Sequence, residues 1–193
     1  MKNNTEKTSV MNHKQEKRSS RRANHGFTLV ELILVIVVLG ILAVIVTPKF
    51  LSFTDDARQA QLIRLASDLK ATSDLVYASS VINQNAEPGQ DGTADIGTVT
   101  IRTNSGYPLA NLNFAVKFLV NLDAITFTNA NITCTDIWCG LGNQRTAPGG
   151  LTSTGLITKI FPEGYSYNDL CGVVYINDQD GSAPRIIVQS EGC

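Results

Sequence analysis

Residues 27–46 form an apolar run of 20 residues in which Glu31 is the only charged side chain. A helix of about 20 apolar residues is long enough to span a bilayer. A helix that is apolar on every side has to be covered by lipid or by other apolar surface. An ionisable group inside such a run is costly and is usually functional. The run therefore predicts a membrane-spanning or buried helix with Glu31 as its functional residue.

The first 26 residues have the composition of a targeting segment. They carry seven Lys or Arg residues and two Glu residues, a net charge of +5. An ordinary secretory signal has a small-residue cleavage site after its apolar stretch. Here no such site follows Val46, and the small residue Gly26 precedes the run. A cut between Gly26 and Phe27 would remove the charges, which otherwise hold this end on the cytoplasmic side, and would keep the helix.

The pair Arg21-Arg22 also allows a twin-arginine export signal. That alternative is disfavoured because no separate, removable apolar region follows the pair.

Cleavage after Gly26 would create an α-amino group on Phe27, one helical turn before Glu31. An amine and a glutamate are both charged near neutral pH. Pairing them offsets part of the cost of removing each charge from water. A pair between neighbouring copies would set their register, so we predict that Glu31 directs assembly. The alternative is a Glu31 side chain that reaches the lipid headgroups.

The sequence GFTLVE at residues 26–31 resembles the cleavage motif of type IV prepilins. The resemblance implies cleavage after Gly26 by a prepilin peptidase and N-methylation of Phe27. Gly40 and Pro48 lie where these proteins carry residues that loosen the helix, and both residues disfavour helix. Three short segments resemble the mannose-sensitive haemagglutinin (MSHA) pilins, namely residues 49–51, 55–58 and 106–108.

The resemblance implies an α+β fold in which a long N-terminal helix packs on a small antiparallel β-sheet head. The helix has a transmembrane half and an amphipathic half. The predicted parts are a cleaved leader at 1–26, the helix at 27–82 and a disulfide-containing head at 83–193. Residues 27–46 of the helix would lie first in the membrane and then in a filament core.

The implied function is structural: the chain would polymerise with copies of itself into an extracellular filament for surface adhesion and biofilm formation. The implied partners are the prepilin peptidase, the inner-membrane pilus assembly machinery and, before assembly, the inner membrane of a Gram-negative bacterium. The surface ligand is not defined by the sequence. A minor pilin or a type II secretion pseudopilin is the near alternative, and an adhesin head at a filament tip is a more distant one.

The pattern beyond Pro48 predicts the individual elements. Apolar residues at helical spacing favour an amphipathic helix that ends near residues 79–85, before the breaker at 87–89. Asp180-Gly181 indicates a hairpin turn. We expect an antiparallel sheet of three to five strands, with exposed loops at 84–93 and 143–154. The candidate strands are 97–103, 152–161, 172–177 and 185–189, and a short helix is predicted at 110–121.

Four cysteines, Cys134, Cys139, Cys171 and Cys193, lie in the predicted exported head, where oxidation is favoured. Four cysteines allow three pairings. We favour Cys171–Cys193, which ties the last hairpin and resembles the C-terminal disulfide loop of pilins. The second pair would be Cys134–Cys139, around Trp138. Zinc is disfavoured because the gaps of 4, 31 and 21 residues do not form two CxxC pairs.

Composition excludes most catalytic chemistry. Both histidines, His13 and His25, lie in the leader, so the cleaved chain would have none for a triad, a general base or a metal site. No nucleophile motif is present, and we predict a protein that is not an enzyme and needs neither cofactor nor metal. The cleaved chain has 9 Lys or Arg against 15 Asp or Glu, a net charge of −6. This charge disfavours nonspecific DNA binding.

Two further candidate sites have structural alternatives. Asp178 and Asp180 lie in a segment that allows a calcium loop, but an EF-type register places Ile176 at the first ligand position. A turn is therefore favoured, and calcium stays open. Three aromatic residues, Trp138, Tyr165 and Tyr167, suit sugar contacts, although roles in the core or in subunit packing are favoured.

Overall fold

The computed structural model describes residues 27–120, 122 and 124–193, with side chains for all of these except 46–53. The predicted leader, including Gly26, lies outside the described residues. The chain divides into two compact units, Met1–Val46 and Thr47–Cys193.

The long helix α1 comprises Leu29–Ile82. Gly40 and Pro48 are both α-helical, and their predicted loosening of the helix stays a prediction. At its end, Gln84 adopts a left-handed φ of 58° and the Asn85 N–H donates to the Ser80 carbonyl at 2.8 Å. This geometry closes the last turn of the helix in the manner of a Schellman motif. The predicted end near residues 79–85 is confirmed.

In the second unit, one face of α1 is buried under the head. The buried residues recur every three or four positions, which places them on a single stripe. They are Leu62, Leu65, Leu69, Ser73 and Val76.

A small antiparallel sheet follows the helix, formed by β1 (Asp91–Ile96), β2 (Val99–Asn104) and β3 (Tyr107–Pro108). The strand predicted at 97–103 corresponds to β2. The loop predicted at 84–93 is wrong from Asp91 onward, because Asp91 pairs with Asn104 across the sheet. The Asn104 side-chain amide donates to the Asp91 carboxylate at 2.9 Å, which supports a strand that has little apolar pattern of its own.

The larger sheet has five strands in sequence order, and only its first pair is parallel. The last two strands coincide with the predicted bounds and are joined by the predicted hairpin. The strands are β4 (Thr126–Phe127), β5 (Trp138–Ala147), β6 (Leu151–Pro162), β7 (Gly172–Asn177) and β8 (Arg185–Gln189).

The loop predicted at 143–154 is wrong, because only residues 148–150 form the turn between β5 and β6. The polar end of β5 is extended because it pairs with β6, as in Thr146 opposite Thr152. Two register shifts in β5 bracket Gln144 and interrupt the alternation that a sequence pattern relies on.

The helix predicted at 110–121 is also wrong. Within the described residues 110–120 the structure has only one short 3-10 helix, η1 (Val116–Phe118), and the rest is turns, bends and irregular backbone. The Asn111 side chain accepts the Phe114 N–H at 3.0 Å, which favours a turn. Apart from Phe114 and Phe118, the apolar residues at 110–120 are buried in the core. They are Ala110, Leu112, Ala115, Val116, Leu119 and Val120.

The core has two layers, one on each face of β7. Val173 and Tyr175 pack with the buried stripe of α1, whereas Val174 and Ile176 pack in a second cluster on the opposite face. The Tyr175 hydroxyl donates to the Pro108 carbonyl at 2.8 Å and lies 3.4 Å from the Ser73 hydroxyl. The α+β architecture of a helix on antiparallel strands is thus confirmed, with two sheets in place of one.

Candidate functional site

The start of α1 is closed by a reciprocal pair of side chains. Oε2 of Glu31 accepts both the backbone N–H and the hydroxyl of Thr28, each at 2.9 Å. The Glu31 N–H in turn donates to Oγ1 of Thr28 at 3.2 Å. This is a capping box, in which threonine and a glutamate three residues later satisfy the free N–H groups of the first turn.

Thr28 is absent from the residues predicted above, although the pattern threonine-x-x-glutamate is itself the signature of a capping box. The two hydrogen bonds that Thr28 donates both go to Oε2 of Glu31. Among the described residues, no group donates a hydrogen bond to Oε1 of Glu31. The carboxylate is therefore held in a fixed orientation with one oxygen available to a further donor.

The apolar run beyond this cap is uncovered. Every side chain of residues 27–45 is exposed, and the exposed fraction of the large apolar ones ranges from 46% for Val35 to 81% for Phe27. Contiguous apolar surface beyond a few hundred Å² marks a contact with protein or membrane. Glu31 thus lies at the head of a surface that requires a partner.

Within the described residues, no helix reaches the length and hydropathy needed to cross a membrane.

The cysteines form the two favoured disulfides. Cys134 pairs with Cys139, and Cys171 pairs with Cys193, with Cα atoms 5.7 and 4.9 Å apart. The described residues contain no group of three or more His, Cys, Asp or Glu side chains that could hold a metal ion.

Cys193, the last residue of the second disulfide, is linked to α1 through hydrogen bonds. The Tyr165 hydroxyl donates to the Cys193 carbonyl at 2.5 Å, and the Arg58 guanidinium donates to that hydroxyl at 3.2 Å. Tyr165 therefore has a structural role. Tyr167 has one as well, because its side chain is buried and its hydroxyl donates to the Thr146 carbonyl at 2.6 Å.

Trp138, the third aromatic candidate, is partly exposed. It lines a groove of about 740 Å³ between α1 and the end of β6. Arg58, Gln61 and Leu65 form one wall, and Glu163 lies on the other.

The carboxylates of the candidate calcium loop are engaged by their own neighbours. Arg185 forms an ion pair with Asp178 at 2.9 Å, and the Ser153 hydroxyl donates to Asp178 at 2.7 Å. The hydroxyl and N–H of Ser182 both donate to Asp180, and these bonds lower the pKa of its carboxyl. The predicted turn between β7 and β8 is confirmed at this site.

Comparison with known families gives one match at the N-terminus. Residues 21–47 match the model of the prokaryotic N-terminal methylation motif. The chain carries a methylation motif. Within the motif lie the predicted cleavage position, Phe27, the capping box and the whole apolar run.

Curated relatives share part of the chain. It is 31% identical over 90 residues to the type IV major fimbrial protein FimA of Dichelobacter nodosus, covering 46% of this chain and 56% of that protein. It is 38% identical over 66 residues to the type IV narrow pilus major component PilA5 of Thermus thermophilus, covering 34% and 53%.

A third relative belongs to a secretion system. The chain is 45% identical over 51 residues to the type II secretion system core protein G of Pseudomonas aeruginosa, covering 26% of this chain and 34% of that protein. The chain spans about half the length of the first curated relatives it matches. No solved structure matches it.

Proposed function

We propose that this chain is an MSHA-like type IV pilin, a structural subunit that polymerises into an extracellular filament for surface adhesion and biofilm formation. The methylation motif and the similarity to type IV pilus proteins support a pilus subunit. The observation that carries the proposal is the uncovered apolar run headed by a capped glutamate. A surface of this kind suits a helix whose final environment is a bundle of identical helices.

In this proposal, assembly begins with a cut after Gly26 by a prepilin peptidase and N-methylation of the new Phe27 amine. Before assembly, the cleaved chain resides in the inner membrane of a Gram-negative bacterium, with residues 27–46 in lipid. The inner-membrane assembly machinery then transfers this helix to the filament core, with Gly40 and Pro48 loosening it for the transfer.

Glu31 is the residue that positions each incoming copy. Its Oε1 accepts a hydrogen bond from the Phe27 ammonium of a neighbouring copy, while Thr28 donates two hydrogen bonds to Oε2. Removing one partner of a buried ion pair commonly costs about 3–5 kcal/mol, because the other charge is left without compensation. A loss of this size at every subunit contact would prevent filament growth.

The test compares Glu31→Gln with Thr28→Val. Glutamine keeps an oxygen that accepts the Thr28 N–H but removes the charge, whereas Thr28→Val weakens the cap and leaves the charge. Both variants should be processed, with methylated Phe27 as the first residue by mass spectrometry. Electron micrographs of sheared material should show filaments from Thr28→Val and none from Glu31→Gln. Normal filaments from Glu31→Gln would contradict the proposed role.

A type II secretion pseudopilin or a minor pilin is the second candidate, favoured by the similarity to core protein G. The two readings differ in where the chain accumulates. A major pilin is the abundant protein of sheared filaments. Recovery of the chain only from the inner membrane, together with a secretion defect in its deletion strain, would favour the second candidate.

A further inference from the structure

Two cations and two phenyl rings lie together on the surface of the head. The Arg102 guanidinium carbon is 5.5 Å from the centroid of the Phe114 ring, and the Lys117 ammonium is 4.9 Å from that of Phe118. The Arg102 N–H donates to the Phe114 carbonyl at 3.3 Å, which joins β2 to the segment that carries both rings. We call Arg102, Phe114, Lys117 and Phe118 the basic aromatic patch.

The exposure of the two rings is selective. The other apolar residues from Ala110 to Val120 are buried, whereas Phe114 is 53% exposed and Phe118 is 41% exposed. The segment is therefore well packed, and its two largest apolar side chains face outward. Aromatic residues, phenylalanine among them, and arginine are enriched at protein interfaces relative to the rest of the surface.

The patch is positive on a protein that is acidic overall. Beyond residue 26 the chain carries a net charge of −6. Arg64, Lys70 and Arg185 each lie within 4 Å of a carboxylate, but neither Arg102 nor Lys117 does so among the residues with described side chains. The complement of this patch is a surface with unpaired carboxylates and some apolar area.

The helix α1 offers such a surface just before its buried stripe begins. Asp55 and Asp56 are exposed there and have no basic partner within 4 Å in the described part of the chain. Ile63, seven residues after Asp56, lies on the same side of the helix and is also exposed. We call Asp55, Asp56 and Ile63 the acidic face.

We propose that the basic aromatic patch of one copy docks on the acidic face of a neighbouring copy. Two cations meet two carboxylates, and Ile63 supplies apolar contact for the rings. The two surfaces differ, so the contact is heterologous and continues into an open helical polymer instead of closing a dimer. This docking rests on the proposed filament function and adds a head-to-helix contact to the contact at Glu31.

Zero-length cross-linking of wild-type filaments tests the docking directly. A carbodiimide joins an amine and a carboxylate only where they touch, forming an amide with net loss of water. We expect a dimer ladder on denaturing gels and a peptide that links Lys117 to Asp55 or Asp56. Linkage of Lys117 to a different carboxylate, or an unlinked Lys117 while other lysines react, overturns the docking.

Charge exchange provides the second test. Arg102→Glu with Lys117→Glu, and separately Asp55→Lys with Asp56→Lys, should each reduce sheared filament yield about tenfold or more, because like charges then face each other. The four changes together should restore the yield. A matched control reverses Arg64 and Lys70, exposed cations that already have carboxylates in their own chain, and should leave the yield unchanged.

The outcomes separate this docking from the proposed function. Absence of the wild-type chain from surface filaments refutes the filament function itself. Filaments at wild-type yield from either reversed pair, or a fourfold variant that stays deficient, overturn only the docking. If a reversed variant is missing from the cell on immunoblots, the cross-linked peptide from wild-type filaments decides.

Discussion

Lys159 is a charged group with no access to water, and its titration should be visible in the stability of the chain. The side chain is fully buried in the middle of β6. Its ammonium donates to the Tyr167 carbonyl at 3.0 Å and to the Asp169 carbonyl, and it lies 5.8 Å from the centroid of the Tyr167 ring. Burial lowers its pKa from 10.5 to about 8, partly opposed by the charge of Asp169.

The sign of the effect follows from proton binding. Between pH 8 and 10.5 the unfolded chain keeps the Lys159 proton and the folded chain loses it. Stability therefore rises with pH in this window. The lowering from 10.5 to about 8 corresponds to about 3 kcal/mol in all, of which about 2 kcal/mol should appear between pH 7 and 9.5.

Tyrosine ionisation sets the upper limit of the window. Burial raises the pKa of Tyr167 to about 12, and it raises the pKa of Tyr175 as well. Tyrosines in the unfolded chain ionise near pH 10, whereas these buried tyrosines stay protonated. Ionisation therefore lowers the free energy of the unfolded state above that pH, and stability falls again. The measurement therefore stays below pH 9.5.

The assay is urea unfolding of the purified full chain in detergent, with disulfides intact. Trp138 is the only tryptophan of the chain and reports on the head by fluorescence. Lys159→Met should remove the pH dependence, whereas Lys70→Met, a change at an exposed lysine, should keep it. Wild-type stability that is flat or falls from pH 7 to 9.5, or an equal slope in Lys159→Met, would refute the reasoning.

Two further changes test the head. Replacing Cys171 and Cys193 by serine opens a loop with a sequence separation of 22 and should cost about 3 kcal/mol of unfolding free energy, against about 2 kcal/mol for the bridge with a separation of 5. Equal losses in urea unfolding would contradict the loop-entropy account. Gly140→Ala should cost about 1–3 kcal/mol, because its Cβ would lie 2.7 Å from a methyl of Leu112. An unchanged urea midpoint would show that Leu112 moves aside freely.

The sequence predicts those parts of the fold whose signals are local. The bounds of β7 and β8 follow from two apolar runs around Asp180-Gly181, and the end of α1 follows from the breaker at 87–89. The polar end of β5 escapes prediction because its extended form depends on pairing with β6. The segment 110–121 reads as a helix because apolar spacing does not distinguish a helix from turns buried on several sides.

The functional residues likewise divide into those that the sequence alone reveals and those that only the folded chain brings together. Phe27 and Glu31 are recognisable from the motif, and Thr28 would be from capping rules alone. The basic aromatic patch is not, because Arg102 and Phe114 meet only after β2 has folded against the segment that follows β3. Whether Arg102 finds a carboxylate partner is likewise a property of the folded surface.

The central position of β7 has a consequence for the order in which the chain matures. Tyr175 meets Ser73 across 102 residues of sequence, and the Tyr175 face of β7 covers the buried stripe of α1. Contacts over such separations form slowly, because a long loop must close first. In a chain whose N-terminal end stays on the cytoplasmic side and whose head is exported in sequence order, residues 54–82 of α1 would emerge long before their covering strand. The Cys134–Cys139 ring can close early on this route, whereas the Cys171–Cys193 bridge can lock the head only after the last strand has emerged.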